Sequence, residues 1–502
     1  MKMDSIWKKQ FAFFTIWRKR RLLVYGLTAY GMRRYENINN TSDIFLIYPT
    51  YSSWYIELFQ NKEAKDMRFN MPRCPPFGIL YIASYLRSNG YKVDVRDIST
   101  EKIKKSEFII MLEAINPKIV GLSVVSENYV SALQFCEAIK EWNSDTITVL
   151  GGPHVTFMDK EVCNNKCVDI VVRNEGELTF LELADYFVGN NFRRKPDSLN
   201  DIRGITFSNA SGETVRTIKR PFIENLDLLP FPARDLINLD NYLVEGGIIT
   251  SRGCPGACIF CAASALSGGK YRMRSVDNVL EEIEHLTDVY GCKYIHILDD
   301  TFTAVPERTE EFCKKKTEKG LEFKWYCESR VDVGSYDLFK KMADSGCFEV
   351  QFGVESGSQE VLRSIRKNVT LEQIENSVRW AREAGISDII CSFIIGHHTD
   401  THDTVQETIS FAEHLHYDYG VYPIFSMNTI YPGTYMFKNY EKLGVKIHTT
   451  DCNSNLMTSS TISTKYLDRD DIQRYYQIIH ENFGKKYIEF EEQKLARRFS
   501  CE

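Results

Sequence analysis

Short apolar runs alternate with amphipathic segments along the chain from about residue 43. Runs such as DIFLIYP, YKVDVRDIS, KIVGLSVVS and TITVLGGPH are rich in β-branched residues, as expected of strands covered on both faces of a parallel sheet. Between them, GILYIASYLRSNG and VSALQFCEAIKEW carry apolar residues at helical spacing, and Gly90 is placed to end the first helix. This alternation predicts a doubly wound, Rossmann-like sheet whose last strand is DIVVRNEGE.

A second alternating series follows a polar, irregular stretch that contains Pro230 and Pro232 and is predicted to be a linker. Its predicted strands are GIITSRG, KYIHILDD, FKWYCES, FEVQFGVES, DIICSFIIG and VYPIFSMNTIYPG. Six strand and helix units are too few for an eight-stranded barrel, so we predict a partial (β/α)6 TIM-type barrel. Its chemistry is expected where the strands end and the loops begin.

These patterns divide the chain into five parts: residues 1–42, 43–190, 191–242, 243–435 and 436–502. The first is a basic and aromatic helical segment, and the last is a helical extension. In the first segment Trp7, Phe11 and Phe14 share one helical face between basic residues. We expect this face to pack on the rest of the protein; the alternative is peripheral contact with an anionic membrane surface.

Composition narrows the class of protein. The chain has 502 residues, of which 43% are hydrophobic and 26% charged, and its formal net charge is −6. This charge gives no reason to expect a nucleic-acid partner. Fourteen cysteines without a secretory signal indicate a reducing compartment, so we expect a cytoplasmic protein whose cysteines fill cores or bind metal.

Three of these cysteines, Cys254, Cys258 and Cys261, lie within eight residues after the first strand of the second series. Glycine and proline neighbours indicate a tight loop instead of a buried helix face. A structural zinc site needs four protein ligands, as does an electron-transfer iron–sulfur cluster, and no further cysteine or histidine follows nearby. Three thiolates would leave one iron of a cluster open to a small molecule.

The C-x-x-x-C-x-x-C loop, with the aromatic residue Phe260 before its third cysteine, resembles the signature of the radical S-adenosylmethionine (SAM) enzymes. The resemblance implies that the three thiolates hold a 4Fe-4S cluster whose fourth iron binds the amino and carboxylate groups of SAM. It further implies reductive cleavage of SAM to methionine and a 5′-deoxyadenosyl radical, which abstracts a hydrogen atom from the substrate.

Later strand ends carry further motifs of this family in the expected order, in HILDDTF, WYCESR, FGVESGS, FIIG and YPGT. The residues that the resemblance assigns to SAM are Phe260, Asp299, Asp300, Glu328, Arg330, Glu355, Ser356 and Gly396. Carboxylates suit the amine and hydroxyls of SAM, an arginine suits its carboxylate, and glycine allows close approach. A glutamate in such a motif could equally cap a helix or pair with an arginine.

The chain departs from the family pattern in GHHTDTHD, which places His397, His398 and His402 after the fifth strand. We expect these histidines to be exposed loop residues or substrate contacts. A role in metal binding or proton transfer is the alternative.

The first series lacks G-x-G-x-x-G, so NAD is not expected. Over residues 44–187 it resembles the cobalamin-binding domain of cobalamin-dependent radical SAM enzymes. The resemblance assigns to cobalamin the strand-end residues Ser123, Ser126, Glu127, Gly151, Gly152, His154, Glu175 and Gly176. It also implies that His154 contacts the nucleotide tail. Because D-x-H-x-x-G is absent and His154 is the only histidine before residue 285, we predict no histidine ligand on cobalt.

The resemblance implies methylation of an unactivated carbon or a phosphinate through methylcobalamin. Radical cyclisation or rearrangement without net methyl transfer, and a non-catalytic cobalamin or iron–sulfur sensor, are the alternatives. The tRNA methylthiotransferases are disfavoured because Cys136, Cys163 and Cys167 are placed differently from their extra cysteines. Expected partners are a small-molecule, peptide or lipid biosynthetic substrate and an electron donor of the flavodoxin or ferredoxin type. Residues 419–431 are expected to shape the substrate pocket, but their types do not identify the substrate.

Overall fold

The computed structural model describes residues 42–50, 74–101, 103–193, 196–449 and 460–484. The predicted segment 1–42 lies outside these residues apart from Ser42. None of the helices in the described part of the chain combines the length and apolarity needed to cross a bilayer.

A seven-stranded sheet forms the first domain. Its strands are β1 (Ile44–Tyr48), β2 (Val93–Asp97), β3 (Ile119–Ser123), β4 (Ile147–Gly151), β5 (Ile170–Val172), β6 (Ile205–Ser208) and β7 (Thr214–Arg216). The order is β2-β1-β3-β4-β5-β6-β7, and the first five strands pair in parallel. Helices cover both faces and span Phe77–Ser88, Lys105–Ile115, Tyr129–Trp142, Pro153–Phe157, Asp159–Cys163 and Glu177–Gly189.

Alternate residues of each strand enter separate cores on the two faces of this sheet. Phe45 and Ile47 of β1 pack with one group of helices, whereas Ile44 and Leu46 pack with the other. This two-sided burial explains why the strands read as continuous apolar runs. The predicted doubly wound arrangement is therefore confirmed.

The expectation that β5 is the last strand of this sheet is wrong. Strands β6 and β7 lie within the predicted linker and extend the sheet in antiparallel fashion. Only seven residues form these two strands, and β7 is partly exposed. Such short, half-polar runs give too little periodicity to be distinguished from a loop.

Six parallel strands form the second sheet: β8 (Gly246–Ile248), β11 (Tyr294–Ile297), β12 (Lys324–Ser329), β13 (Cys347–Glu355), β14 (Asp388–Ile395) and β15 (Tyr422–Met427). Their order is β15-β14-β13-β12-β11-β8, so the sheet is open between its first and last strands. Two small antiparallel pairs join β9 (Ser251–Arg252) to β10 (Arg272–Met273) and β16 (Lys446–Ile447) to β17 (Ile462–Ser463). The predicted partial barrel is confirmed.

The helices of this domain are Ala263–Leu266, Val276–Tyr290, Pro306–Glu318, Tyr336–Asp344, Gln359–Ser364, Leu371–Glu383, His402–Tyr419 and Tyr435–Asn439. Side-chain caps start several of them: Ser275 accepts from Asn278 N, and Thr370 forms a capping box with Gln373. Helix Arg469–Ile479 belongs to the predicted C-terminal extension and packs Ile472 against Gly396.

Phe157 of the first domain packs directly on Gly433, in the turn after β15. Gly433 has φ +90°, and a Cβ added there would overlap the Phe157 ring. Glycine is thus required both for its backbone conformation and for the close approach between the domains.

We predict that Gly433→Ala lowers thermal stability more than Gly291→Ala does. Gly291 also has positive φ, +68°, but a Cβ there meets nothing within 4 Å, so its variant should lose about 1–2 kcal/mol from backbone strain alone. Removing the ring with Phe157→Ala should make the Gly433 change less costly in the double variant. Equal losses at both glycines, with additive behaviour in the double variant, would contradict the packing argument.

Candidate functional site

The carboxyl ends of strands from both sheets face each other across the domain boundary. The Tyr431 hydroxyl, after β15, donates to Glu127 Oε1 at 2.6 Å, after β3. Asn174 Nδ2, after β5, donates to the Leu266 carbonyl at 3.2 Å. Ligands and active sites occupy this edge in open α/β sheets and in barrels. The two candidate ligand edges therefore adjoin one another.

An ion-pair network fixes this junction. Arg252, two residues before Cys254, donates to Glu175 Oε1 at 2.8 Å and to Glu177 Oε1 at 2.6 Å. Arg272 reaches Glu175 as well, at 2.9 and 3.0 Å. Burial alone would lower the pKa of Arg252, but the two carboxylates outweigh it and hold that pKa above its ordinary value. Glu175, predicted to contact cobalamin, is thus engaged between the domains, and Gly176 lies close to Ile82. Their contact with cobalamin stays a prediction.

The cysteine loop is anchored through its middle. The Ile259 amide donates to the Ile365 carbonyl at 3.0 Å, and its carbonyl accepts from the Met436 amide at 3.0 Å. Gly253, at φ +97°, packs so closely on Ser267 that no side chain fits there. Backbone hydrogen bonds and the close packing of Gly253 thus hold the loop through contacts within the protein.

The cysteine side chains lie at the edge of this loop and differ in exposure. Cys254 and Cys258 are half-buried, whereas Cys261 is exposed. Desolvation raises the pKa of Cys258, against the opposing effect of Lys367, and raises the pKa of Cys261 to about 11 although part of its surface meets solvent. Within the described residues no three His, Cys, Asp or Glu side chains converge on one metal ion. Thiolates that bind three different irons need not converge in this way.

Two basic side chains adjoin the cysteine loop. Arg330 Nη1 lies 2.9 Å from where a Gly256 Cβ would stand, and Arg330 also pairs with both oxygens of Asp332. Lys367 Nζ donates to Glu355 Oε1 at 2.8 Å and is buried. Both cations act to lower the pKa of Cys258, while Glu355, the partner of Lys367, acts against them.

Glu355 ends β13 with φ +72°, where the register with β14 also shifts. A non-glycine residue in this region is strained, and such strain concentrates at functional sites. Its neighbour Ser356 is buried, shares a hydrogen bond with Thr408 Oγ1 at 3.0 Å and accepts from the Ser358 amide at 3.1 Å. The hydroxyl of Ser356, which was predicted to contact SAM, is thus hydrogen-bonded within the loop that follows β13.

Asp299 is buried and accepts four hydrogen bonds. Its donors are the amides and hydroxyls of Thr250 and Ser251, at 2.5 to 3.0 Å. These bonds tie β11 to the segment that enters the cysteine loop. Asp300 is exposed to solvent. Desolvation by its surroundings raises the pKa of Asp300, and repulsion from Asp299 and Glu328 raises it further. Of this predicted pair, Asp300 is the one that remains open to a ligand.

On the concave face of the second sheet, the predicted SAM residue Glu328 is joined by His296, which the sequence analysis did not name. His296 Nε2 lies 3.0 Å from Glu328 Oε1, and its Nδ1 lies 3.9 Å from Cys74 Sγ of the first domain. The His296 ring also stacks on Tyr326, with centroids 4.1 Å apart. The alternation of buried Ile295 and Ile297 with His296 could have revealed its face; its partner Cys74, 222 residues away, could not be found from sequence.

The histidine loop after β14 differs from the expectation. His397 is fully buried and His398 nearly so, so the expectation of exposed loop residues is wrong for both, while the alternative of substrate contacts stays a prediction. Asp400 accepts from the amides of Gly396 at 2.9 Å and His397 at 2.8 Å, which turns the loop inward. Burial raises the pKa of Asp400 to about 6. His402 is separate and exposed, with Nδ1 3.0 Å from Tyr475 Oη.

The predicted cobalamin residues after β3 and β4 come together. Ser126 Oγ lies 3.0 Å from His154 Nδ1, and the His154 ring packs against Tyr129 at 4.5 Å. Burial lowers the pKa of His154 to about 4, so the imidazole is neutral at pH 7. Gly152 has φ +110°, and a Cβ added there would lie only 2.6 Å from the Val124 carbonyl oxygen, so this turn packs closely on Val124. Ser123 and Gly151 end the two paired strands beside it.

Sequence comparison finds two family domains in the chain. Residues 248–412 match the Radical SAM superfamily, and residues 72–184 match the B12 binding domain. The first match covers the cysteine loop and strands β11 to β14, and the second covers strands β2 to β5.

Individual proteins extend the comparison. The chain is 36% identical over 369 residues to an uncharacterized methyltransferase, PH0819, of Pyrococcus horikoshii, covering 72% of this chain and 78% of the relative. It is 27% identical over 394 residues to the cytidylyl-2-hydroxyethylphosphonate methyltransferase of Streptomyces wedmorensis, covering 68% and 72%. The fold matches the cobalamin-dependent SAM radical enzyme OxsB with a TM-score of 0.69 at 19% identity, covering 93% of this chain and 72% of that one.

The order of the two domains, the cysteine loop and the extent of the match to the Pyrococcus horikoshii relative all indicate the same family. The chain therefore belongs to the radical SAM superfamily, as an enzyme with a B12-binding domain, and its cofactors are a 4Fe-4S cluster, SAM and cobalamin.

Proposed function

We propose that this enzyme transfers a methyl group to an unactivated carbon atom, or to a phosphinate, of a small-molecule substrate held between the two strand edges. The observation that supports this most directly is the contact of the cobalamin-side loop with the barrel-side loops, through Glu127 and Tyr431 and through Phe157 and Gly433. A substrate at this junction would lie between two cofactors. The methyltransferase names of the two relatives are consistent with the proposal.

Cys254, Cys258 and Cys261 would hold the cluster. The donor set fits, because three thiols in one anchored loop leave a coordination position for SAM, and Arg330 and Lys367 supply positive charge beside them. When bound, the cluster supplies the electron that cleaves SAM to methionine and a 5′-deoxyadenosyl group. An external protein of the flavodoxin or ferredoxin type would provide that electron.

Phe260, Asp300, Glu328, Arg330, Glu355 and Gly396 would contact SAM or the substrate. We assign Asp299 and Ser356 to supporting this arrangement, because their oxygens are already hydrogen-bonded to the protein. Glu328 is held by His296 through one carboxylate oxygen, and no described donor meets the other, Oε2. That oxygen fits a hydroxyl or N–H group of a ligand on the concave face.

Ser123, Ser126, Glu127, Gly151, Gly152 and His154 would bind cobalamin. The set fits a large ligand with amide and phosphate groups, because it offers hydroxyls, a neutral imidazole and a close-packed glycine turn on one edge. When bound, cobalamin supplies a methyl carrier. His154 is held by Ser126 on Nδ1 and by Tyr129 on its face, and the absence of a histidine ligand on cobalt stays a prediction.

Replacing any one of Cys254, Cys258 or Cys261 by serine should remove most of the iron bound after anaerobic reconstitution, because each thiolate binds a different iron. Iron per chain and visible absorption measure this. Cys292→Ala is the control, since Cys292 is buried in the barrel core away from the loop and should leave iron unchanged. A loop variant that keeps the wild-type iron content would contradict the assignment.

Methyl transfer consumes two SAM molecules, so substrate turnover should release S-adenosylhomocysteine and 5′-deoxyadenosine in equal amounts. The measurement is product quantification with reduced, cobalamin-loaded protein over candidate substrates. Deoxyadenosine alone, in proportion to product, would favour cyclisation or rearrangement. Absence of any SAM turnover with the full set of candidates would favour a sensor.

A further inference from the structure

His397 combines full burial with two unsatisfied ring nitrogens. Burial lowers the pKa of His397 to about 3. The backbone carbonyl of Glu355 opposes that shift as a weak hydrogen-bond acceptor, but neither Nδ1 nor Nε2 makes a hydrogen bond of full geometry with any described group. A buried polar group without a partner costs about 1–3 kcal/mol of stability. Native structures keep such groups rarely, and those that they keep call for an explanation.

The backbone around His397 leaves the imidazole little freedom to avoid this cost. Asp400 binds the amides of both Gly396 and His397, and Gly396 has φ +83°. Ile472 packs on Gly396 from the C-terminal helix. The loop is therefore held so that the histidine points inward.

The neighbour of the imidazole is Phe260 of the cysteine loop, with ring centroids 5.5 Å apart. His397 thus lies beside the aromatic residue that precedes the third cysteine and directly after Gly396. A neutral imidazole has one N–H donor and one acceptor nitrogen. The matching ligand must offer both kinds of group and reach the cysteine loop.

We propose that His397 recognises the nucleoside part of SAM, through hydrogen bonds to its imidazole nitrogens. Adenine has an amine donor and ring-nitrogen acceptors, and the ribose hydroxyls act as both. Because His397 is fully buried and the backbone of Ile259 is hydrogen-bonded on both sides, contact requires the partly buried Phe260 ring to turn aside while the backbone of the cysteine loop stays in place. The inference rests on the proposed binding of SAM at that loop, and it assigns the residue that departs from the family pattern.

The test separates ligand recognition from a structural role. His397→Leu removes the unsatisfied nitrogens at similar volume, so it should raise the unfolding temperature of SAM-free protein. The same variant, with its cluster assembled, should bind SAM and S-adenosylhomocysteine roughly 10- to 100-fold more weakly in calorimetric titrations. Methionine lacks the nucleoside, so its affinity should not change. His397→Gln, which keeps a donor and an acceptor, should recover part of the nucleoside affinity.

His402→Leu is the matched control, because His402 is exposed and already faces Tyr475; it should change neither affinity. Iron content should equal that of wild type in every variant. Unchanged SAM affinity in His397→Leu, or an equal loss for methionine, would overturn the inference alone. Wild-type protein that holds its cluster but binds no SAM would overturn the proposed function together with it.

Discussion

Arg252 lies two residues before Cys254, the first cysteine of the loop in the second domain. Its guanidinium group forms ion pairs with two carboxylates of the first domain. These carboxylates belong to Glu175 and Glu177, and Arg272 forms a further ion pair with Glu175. Arg272 and Glu177 are nearly inaccessible to solvent, and Arg252 and Glu175 are largely buried. Removing one member of such a buried group costs about 3–5 kcal/mol, because it leaves an uncompensated charge. Any movement of the start of the cysteine loop relative to the carboxyl-end edge of the first sheet therefore costs free energy.

The rest of the site follows from that fixed junction. Asp299 ties the same segment to β11 with four hydrogen bonds, and Ile259 ties the middle of the loop to two other elements. Phe157 and Glu127 bring the opposite edge onto the turn after β15. Rigid elements thus support a site whose strained or unsatisfied members, Glu355 and His397, lie where ligands are proposed.

Sequence patterning predicted the elements that bury continuous apolar runs, because their periodicity is local. It therefore found all six strands of the barrel and the five parallel strands of the first sheet. It missed β6 and β7, which are short and half-polar, and the helices Lys105–Ile115 and Glu177–Gly189. The cysteine loop was recognisable because its ligands are adjacent in sequence.

The contacts that assign roles within the site could not be predicted in the same way. Arg252 and Glu175 are 77 residues apart, and His296 and Cys74 are 222 apart, so no spacing rule connects them. The sequence also placed Asp299 among ligand contacts, whereas packing gives it four protein donors. Burial of His397 depends on Asp400 and on a helix from the C-terminal extension, and both are tertiary effects.

The contacts between the two strand edges imply that a cluster on the cysteine loop and a cobalamin on the first sheet would lie close together. Electron paramagnetic resonance of protein that holds both cobalt(II) cobalamin and the reduced cluster tests it most directly. The account predicts spin–spin broadening of the cobalt signal when the cluster is reduced, and weaker broadening in Arg252→Met. A spectrum equal to the sum of the two isolated centres would contradict it.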